Sequence, residues 1–225
     1  VTETNHIPRA VIWDLDGTLI DSHGAHHRAW AQVTSEYGIP FSQQKFEQTF
    51  GMHNHAVLSL WLGDRWTQAL EDEIAARKEQ LYRAAAVEDV GLFPGALHWL
   101  ETLKRAGWRQ GLGSSAPWAN IDALLEPLAL DGYLEVVRSG ENFPSKPDPA
   151  LFLDVARALG VKPARCVVVE DAPSGVEAAR RGGMRAVGVA TTHEAEKLGD
   201  ADEVFASLEA LPPDLFDRFV PGGRS

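Results

Sequence analysis

Four short groups of reactive side chains are spread along 225 residues. Asp14 and Asp16 stand two apart in Asp14-Leu15-Asp16-Gly17-Thr18, and Ser114 and Ser115 are adjacent. Lys146 sits in Ser145-Lys146-Pro147-Asp148, and Glu170 is followed by Asp171. Taken singly, each acid or serine reads as a helix cap, because such side chains satisfy the free N–H groups of a first helical turn. Taken together they do not. Two pairs of acids brought to one place repel each other unless a divalent cation lies between them. Carboxylate oxygens with no His or Cys beside them suit Mg²⁺ rather than zinc. With such a cation, the hydroxyls and the one lysine make a local centre that could hold an anionic small molecule.

Such a set needs a scaffold that gathers distant segments. Ala10-Val11-Ile12-Trp13 is a short apolar run that ends at Asp14, and further strands are expected around Gln110 to Gly113, Tyr133 to Val137, Cys166 to Val169, Ala186 to Val189 and Glu203 to Phe205. Helical patterns separate them. Pro94 opens one in which Ala96, Leu100 and Leu103 recur on one face and Gly107 closes it; Asp148-Pro149 caps another, and Pro173-Ser174 starts a third that stops at Gly182-Gly183. Strands alternating with helices imply right-handed crossovers and a parallel sheet, so an α/β core is expected, Rossmann-like in layout. Ligands of open parallel sheets bind outside the carboxyl ends of the strands, where the reactive groups fall.

From about His23 to Gly91 the alternation stops, with no convincing strand and at least three helical patterns. His26, Ala29, Trp30 and Val33 share one face; Leu70, Ile74, Lys78, Leu81 and Ala85 share another. An inserted all-α cap over residues 22–92 is expected, on a core of 1–21 and 93–225, with hinges near Asp21-Ser22 and Leu92-Phe93-Pro94-Gly95. Residues 221–225 read as a frayed tail.

Bulk composition narrows the partners. The net charge of −11 disfavours nucleic acid and anionic membranes, which need a basic face, so an anionic substrate must be held by a metal or by a few Lys and Arg. No segment approaches a membrane span and no basic start with an apolar stretch opens the sequence; a cytoplasmic, monomeric protein is the expectation. The single cysteine, Cys166, excludes an internal disulfide and reads as a buried structural thiol.

Asp14-Leu15-Asp16-Gly17-Thr18 resembles the first motif of the haloacid dehalogenase superfamily, and Ser114, Lys146 and Glu170-Asp171 match its other three motifs in order. The resemblance covers essentially the whole chain, the helical cap included. It implies that Asp14 is the nucleophile, forming an aspartyl-phosphate, and that Asp16 is general acid and then base, with its backbone carbonyl on the metal. Ser114, with Ser115 and Thr18, and Lys146 would hold the phosphoryl oxygens, and Asp171 with Glu170 would complete the Mg²⁺ site. Asp16 argues against dehalogenase activity, since the dehalogenases of the family lack that second acid. Transport ATPases of the superfamily carry Lys there and have membrane spans. Phosphatase or phosphomutase remains; a catalytically silent binding module predicts loss of Asp14, Asp16 or Lys146, and all are present.

Within the superfamily the chain looks most like the β-phosphoglucomutase group, which includes many sugar-phosphate phosphatases. His26 matches a mutase histidine near the general acid, with simple packing as its alternative reading. Lys78 matches a substrate-facing lysine, with snorkelling to solvent as the alternative. The mutase loop carries a lysine and an arginine that grip a distal phosphate. Here Phe50-Gly51-Met52-His53-Asn54-His55 offers Phe50 and Asn54 instead, which favours a phosphatase. His53 and His55 read as partial substitutes or solvated loop residues, His27 as surface, Trp13 as core, and Trp118 as packed on its own helix, with lining of the cleft as its alternative.

Overall fold

The structure, a computed structural model, describes residues 7–222. Of the expected tail, 223–225 lie outside them. The strands are β1 (Ala10–Trp13), β2 (Ile20–Asp21), β3 (Gly91–Leu92), β4 (Arg109–Ser114), β5 (Val136–Ser139), β6 (Cys166–Glu170), β7 (Arg185–Val189) and β8 (Glu203–Phe205). Six form one sheet in the order β5-β4-β1-β6-β7-β8, every pair parallel. The α/β expectation stands. β1 lies centrally, flanked by β4 and β6, which brings Asp14, Ser114 and Glu170 to adjacent strand ends.

One strand differs. Tyr133 and Leu134 close a turn, their N–H groups donating to the Leu130 carbonyl at 3.0 and 3.2 Å, and pairing begins only at Val136. An apolar run can end a turn as well as open a strand, and its pattern alone does not separate the two.

The helices are α1 (His23–Glu36), α2 (Gln43–Glu47), α3 (Asn54–Leu62), α4 (Gln68–Asp89), α5 (Ala96–Arg105), α6 (Trp118–Leu125), α7 (Ala150–Ala158), α8 (Pro173–Arg181) and α9 (Leu215–Phe219). Their signals are physical: Thr67 caps α4 by accepting from Leu70 N, and the Asp148 carboxylate accepts from Ala150 N at 2.9 Å ahead of α7. Each side of the sheet has its own apolar cluster. One joins Trp13, Trp99, Leu100, Leu112 and Phe216; the other joins Ile12, Phe152, Val155, Cys166, Val168 and Val176. Trp13 is fully buried and its indole N–H donates to Gln110.

Helices α1 to α4 carry a third cluster of Trp30, Val33, Phe46, Leu58, Trp61 and Ile74. Their lower ends belong to the core, since Ala25, Ala29, Tyr82 and Ala86 pack into the Trp13 cluster. The two crossings between this helical insert and the sheet fall at the expected hinges, and they pair: β2 and β3 form an antiparallel ribbon, Ile20 opposite Leu92 and Asp21 opposite Gly91, and Phe93 N donates to Leu19 O at 2.9 Å. Two residues per strand are too few to show a period of two. No helix among the described residues is long and apolar enough to cross a membrane.

Candidate active site

Beneath the helical insert, at the carboxyl end of the sheet, a cleft of about 250 Å³ is lined by Asp14, Asp16, Ser114, Ser115, Lys146, Glu170 and Asp171 from the core. From the insert come His26, Trp30, Phe50, Asn54, Lys78 and Glu79. The four sequence groups thus converge.

Asp14 follows β1, and its backbone N–H extends the pairing to Val169 O. Its carboxylate accepts from Lys146 Nζ at 2.5 Å; the same ammonium donates to Glu170 at 2.6 Å and lies 4.6 Å from the centre of the Phe152 ring. The other Glu170 oxygen accepts from Ala172 N at 2.8 Å. Asp171 is held by the hydroxyls of Thr18, at 3.0 Å, and Thr192. Oxygens of Asp14, Glu170 and Asp171 all lie within 4.8 Å of one another, each residue buried.

One ammonium cannot neutralise three buried carboxylates. Burial raises the Asp14 carboxyl well above its usual range; Lys146 opposes the rise but is shared with Glu170, and Glu170 and Asp171 add to it. Burial, then Glu170, pushes Asp171 up to about 7 against the two threonine hydroxyls. Lys146 moves the other way. Burial lowers its proton affinity, yet Asp14 and Glu170 outweigh burial and raise it. The surplus of negative charge and the all-oxygen donor set fit a divalent hard cation.

Two glycines leave room for this cluster. Gly17 has φ +85°, and a Cβ there would overlap the Asp171 carboxylate; a Cβ on Gly175 would overlap Glu170. The Thr191 hydroxyl donates to Gly17 O, which pins the first-motif turn from the far side.

Asp16 stands apart from the three-acid cluster, turned towards the insert. Its Oδ1 accepts from Ser22 Oγ at 2.6 Å and lies 3.4 Å from His26 Nε2. His26 Nδ1 is 3.1 Å from Lys78 Nζ. An ammonium only donates, so Nδ1 accepts and the imidazole proton sits on Nε2, facing Asp16. Burial works to raise Asp16, but His26, Ser22 and Lys78 outweigh it and leave the carboxyl below its ordinary value. Burial and the Lys78 charge hold His26 down, Asp16 and Glu79 opposing. The ring stacks on Tyr82, centroids 4.0 Å apart.

Lys78 does not snorkel. It is 3% exposed, its ammonium bonded to Glu79 at 2.8 Å and lying 5.4 Å from the Trp30 and Tyr82 ring centres. Thr18, expected at the substrate, is fully buried beneath Asp171 and does not line the cleft. Ser114 lines the cleft while its Oγ accepts from Ala116 N at 3.0 Å. His53 and His55 both line the cleft, and His55 pairs with Glu71 at 2.9 Å. His27, expected at the surface, is half-buried with its ring edge-on to Phe41 and Phe46. Trp118 is 45% exposed, because the buried face of α6 is made by Asn120, Ile121 and Leu124. Glu79, Asn120, Thr192 and Gly175 were not singled out in the sequence, since none belongs to a recognisable spacing.

The chain is similar to known proteins in sequence and in fold. A sequence profile described as haloacid dehalogenase-like hydrolase matches residues 8–183. The chain is 33% identical over 189 residues to a β-phosphoglucomutase of Bacillus subtilis, covering 80% of this chain and 83% of that one. It is 31% identical over 181 residues to hexitol phosphatase B of Escherichia coli, covering 79% and 82%. The crystal structure of a β-phosphoglucomutase from Clostridium difficile superposes with a TM-score of 0.83 at 26% identity, over 95% of this chain and 97% of the other. The chain belongs to the haloacid dehalogenase-like hydrolases.

Proposed function

We propose that this hydrolase is a Mg²⁺-dependent phosphoric monoester hydrolase acting on a phosphorylated sugar or related polyol. Asp14 serves as nucleophile and Asp16 as general acid and base. The observation that carries the reading is Asp14 itself. Its carboxylate stands at the cleft floor, 2.5 Å from the one ammonium that reaches it, with two further carboxylates beside it. Asp14, Glu170 and Asp171, with the backbone carbonyl of Asp16, would hold the Mg²⁺, which when bound neutralises charge on the phosphoryl group. Lys146 shares that task, and Ser114 and Ser115 orient the phosphoryl oxygens. In-line attack by Asp14 forms an aspartyl-phosphate as the leaving alcohol departs with a proton from Asp16. The same carboxylate then takes a proton from the water that hydrolyses the intermediate. The lowered proton affinity that His26 and Ser22 impose against burial keeps Asp16 ionised, and so free to accept that proton. The charge of an arriving phosphate raises that affinity for the first.

The distal half of the cleft favours hydrolysis over phosphoryl migration. Among the described residues that line it, Lys146 and Lys78 are the only Lys or Arg, and both are ion-paired. Burial, with the Lys146 charge, keeps His53 below its ordinary proton affinity. A mutase must grip a second phosphate while its intermediate reorients, and no free Lys or Arg among the described residues lines the cleft for that. The Asn54 amide and the Glu79 carboxylate instead offer groups suited to hydroxyls. A volume of about 250 Å³ suits one sugar ring or an open-chain polyol.

The test is phosphate release from a panel of sugar phosphates, polyol phosphates and nucleotides with Mg²⁺, following isomerised product in parallel. Release is expected with sugar or polyol monophosphates, and its loss in Asp14→Asn and after chelation. Isomerisation dependent on a bisphosphate, with little free phosphate, would make the protein a mutase.

A further inference from the structure

One buried side chain of the core turns both ends of its amide towards the insert. Asn120 lies on α6, 2% exposed. Its Nδ2 donates to Glu79 at 2.5 Å and its Oδ1 accepts from Arg83 at 2.9 Å. Glu79 and Arg83 sit four apart on α4, so one amide is gripped by two successive turns of one helix face. The charges are complementary, with the amide's positive end on the carboxylate and its negative end on the guanidinium. Both bonds are charge-assisted and both cross from core to insert.

Glu79 extends the contact inward. Its Oε1 accepts from Asn54 at 2.7 Å and from Lys78 at 2.8 Å, and Lys78 reaches His26, which faces Asp16. Asn120 thus stands at the far end of a continuous polar chain whose other end is the proposed acid and base. Moving α4 away from α6 would strand Asn120 and Glu79, both buried polar groups, until water reached them.

We propose that Asn120 is a positioning residue that clasps α4 to the core and holds the cleft closed over substrate. Only the kinetic part of its test rests on the phosphatase reading. Closure by packing of Ala25, Ala29 and Tyr82 against the core is non-directional; two opposed polar bonds on one amide fix the registry of the closed form.

The experiment compares the wild-type chain with Asn120→Ala and, as a milder second variant, Arg83→Met, by hydrogen–deuterium exchange and by hydrolysis of p-nitrophenyl phosphate with Mg²⁺. In Asn120→Ala, exchange over residues 70–90 should rise at least about tenfold, since one hydrogen bond to a charged group already has that scale and two are lost, while β1 and β6 stay protected. Hydrolysis should lose about tenfold in kcat/KM with the loss falling on KM, because saturating substrate re-closes the cleft. Arg83→Met should show the same pattern at smaller size. Exchange in α4 within twofold of wild type overturns the clasp. So does an equal rise in α4 and in β1 and β6, which marks general loosening, or a fall in kcat with KM unchanged. A wild-type chain that releases no phosphate from any ester refutes the phosphatase reading instead, and the exchange comparison then decides the clasp alone.

Discussion

Replacing Lys146 by methionine isolates the electrostatics of the acid cluster. The lysine side chain is 7% exposed and touches Asp14 at 2.5 Å and Glu170 at 2.6 Å, with Asp171 alongside. Methionine keeps most of the apolar stem against Phe152 and removes the charge, so packing changes little and the three carboxylates lose their one counter-ion. Removing one partner of a buried ion pair costs about 3–5 kcal/mol. At 2–4 °C per kcal/mol for a chain of this size, the metal-free variant should melt roughly 6–20 °C below wild type. The penalty has a sign in pH. Asp14 already binds its proton more tightly folded than unfolded, and losing Lys146 tightens it further. A raised folded value gives stability that is present below the unfolded carboxyl range, near pH 4, and is lost as pH rises. The deficit must therefore be larger at pH 8 than at pH 5. Calorimetry of both proteins in chelator at the two pH values decides it. Equal melting temperatures at pH 8, or a deficit greater at pH 5, would refute the reasoning.

Two further outcomes follow from the same cluster. Asp171, ionising near 7 when folded and metal-free, makes chelated wild-type protein lose stability as pH rises from about 4 through 7; Mg²⁺ should reverse the loss at pH 8, read as a rise in melting temperature. Gly175→Ala places a methyl group where Glu170 now lies, so the carboxylate must leave Lys146 or Ala172 N. The expected cost is about 1–3 kcal/mol by denaturant titration, with phosphate release reduced, and an unchanged midpoint would show that Glu170 moves freely.

Much of the sheet was legible because its strands are short apolar runs cut off by turn residues. Ala10–Trp13 and Glu203–Phe205 have the ends that the sequence implies, and the triple-valine run extends only one residue further, to Glu170. The convergence of Asp14, Ser114, Lys146 and Glu170-Asp171 was legible for a related reason. Parallel order puts every strand's carboxyl end on one edge, so position along each strand already says which groups meet. Lys78 shows the boundary of such reading. Its place on an apolar stripe announced an unusual lysine, but the choice between snorkelling and burial depended on Glu79 and on rings from α1 and α4 closing around it. Asn120 and Gly175 carry no signal at all. What matters about each is the side chain it meets across the fold, and a sequence does not print that distance.

The ribbon formed by β2 and β3 shapes how the insert can travel. A single covalent crossing is a swivel, free to turn about its own axis. Two crossings laced by backbone hydrogen bonds act as a door hinge, because twisting one strand against the other would break the pairing while bending the ribbon as a unit breaks none. The insert is left with close to one rotational coordinate. Asp16 lies only four residues before β2, and Gly17 N–H already donates to Ile20 O, so the pivot is built onto the reactive turn itself. A swing of the insert would therefore begin at the loop that carries Asp14 and Asp16.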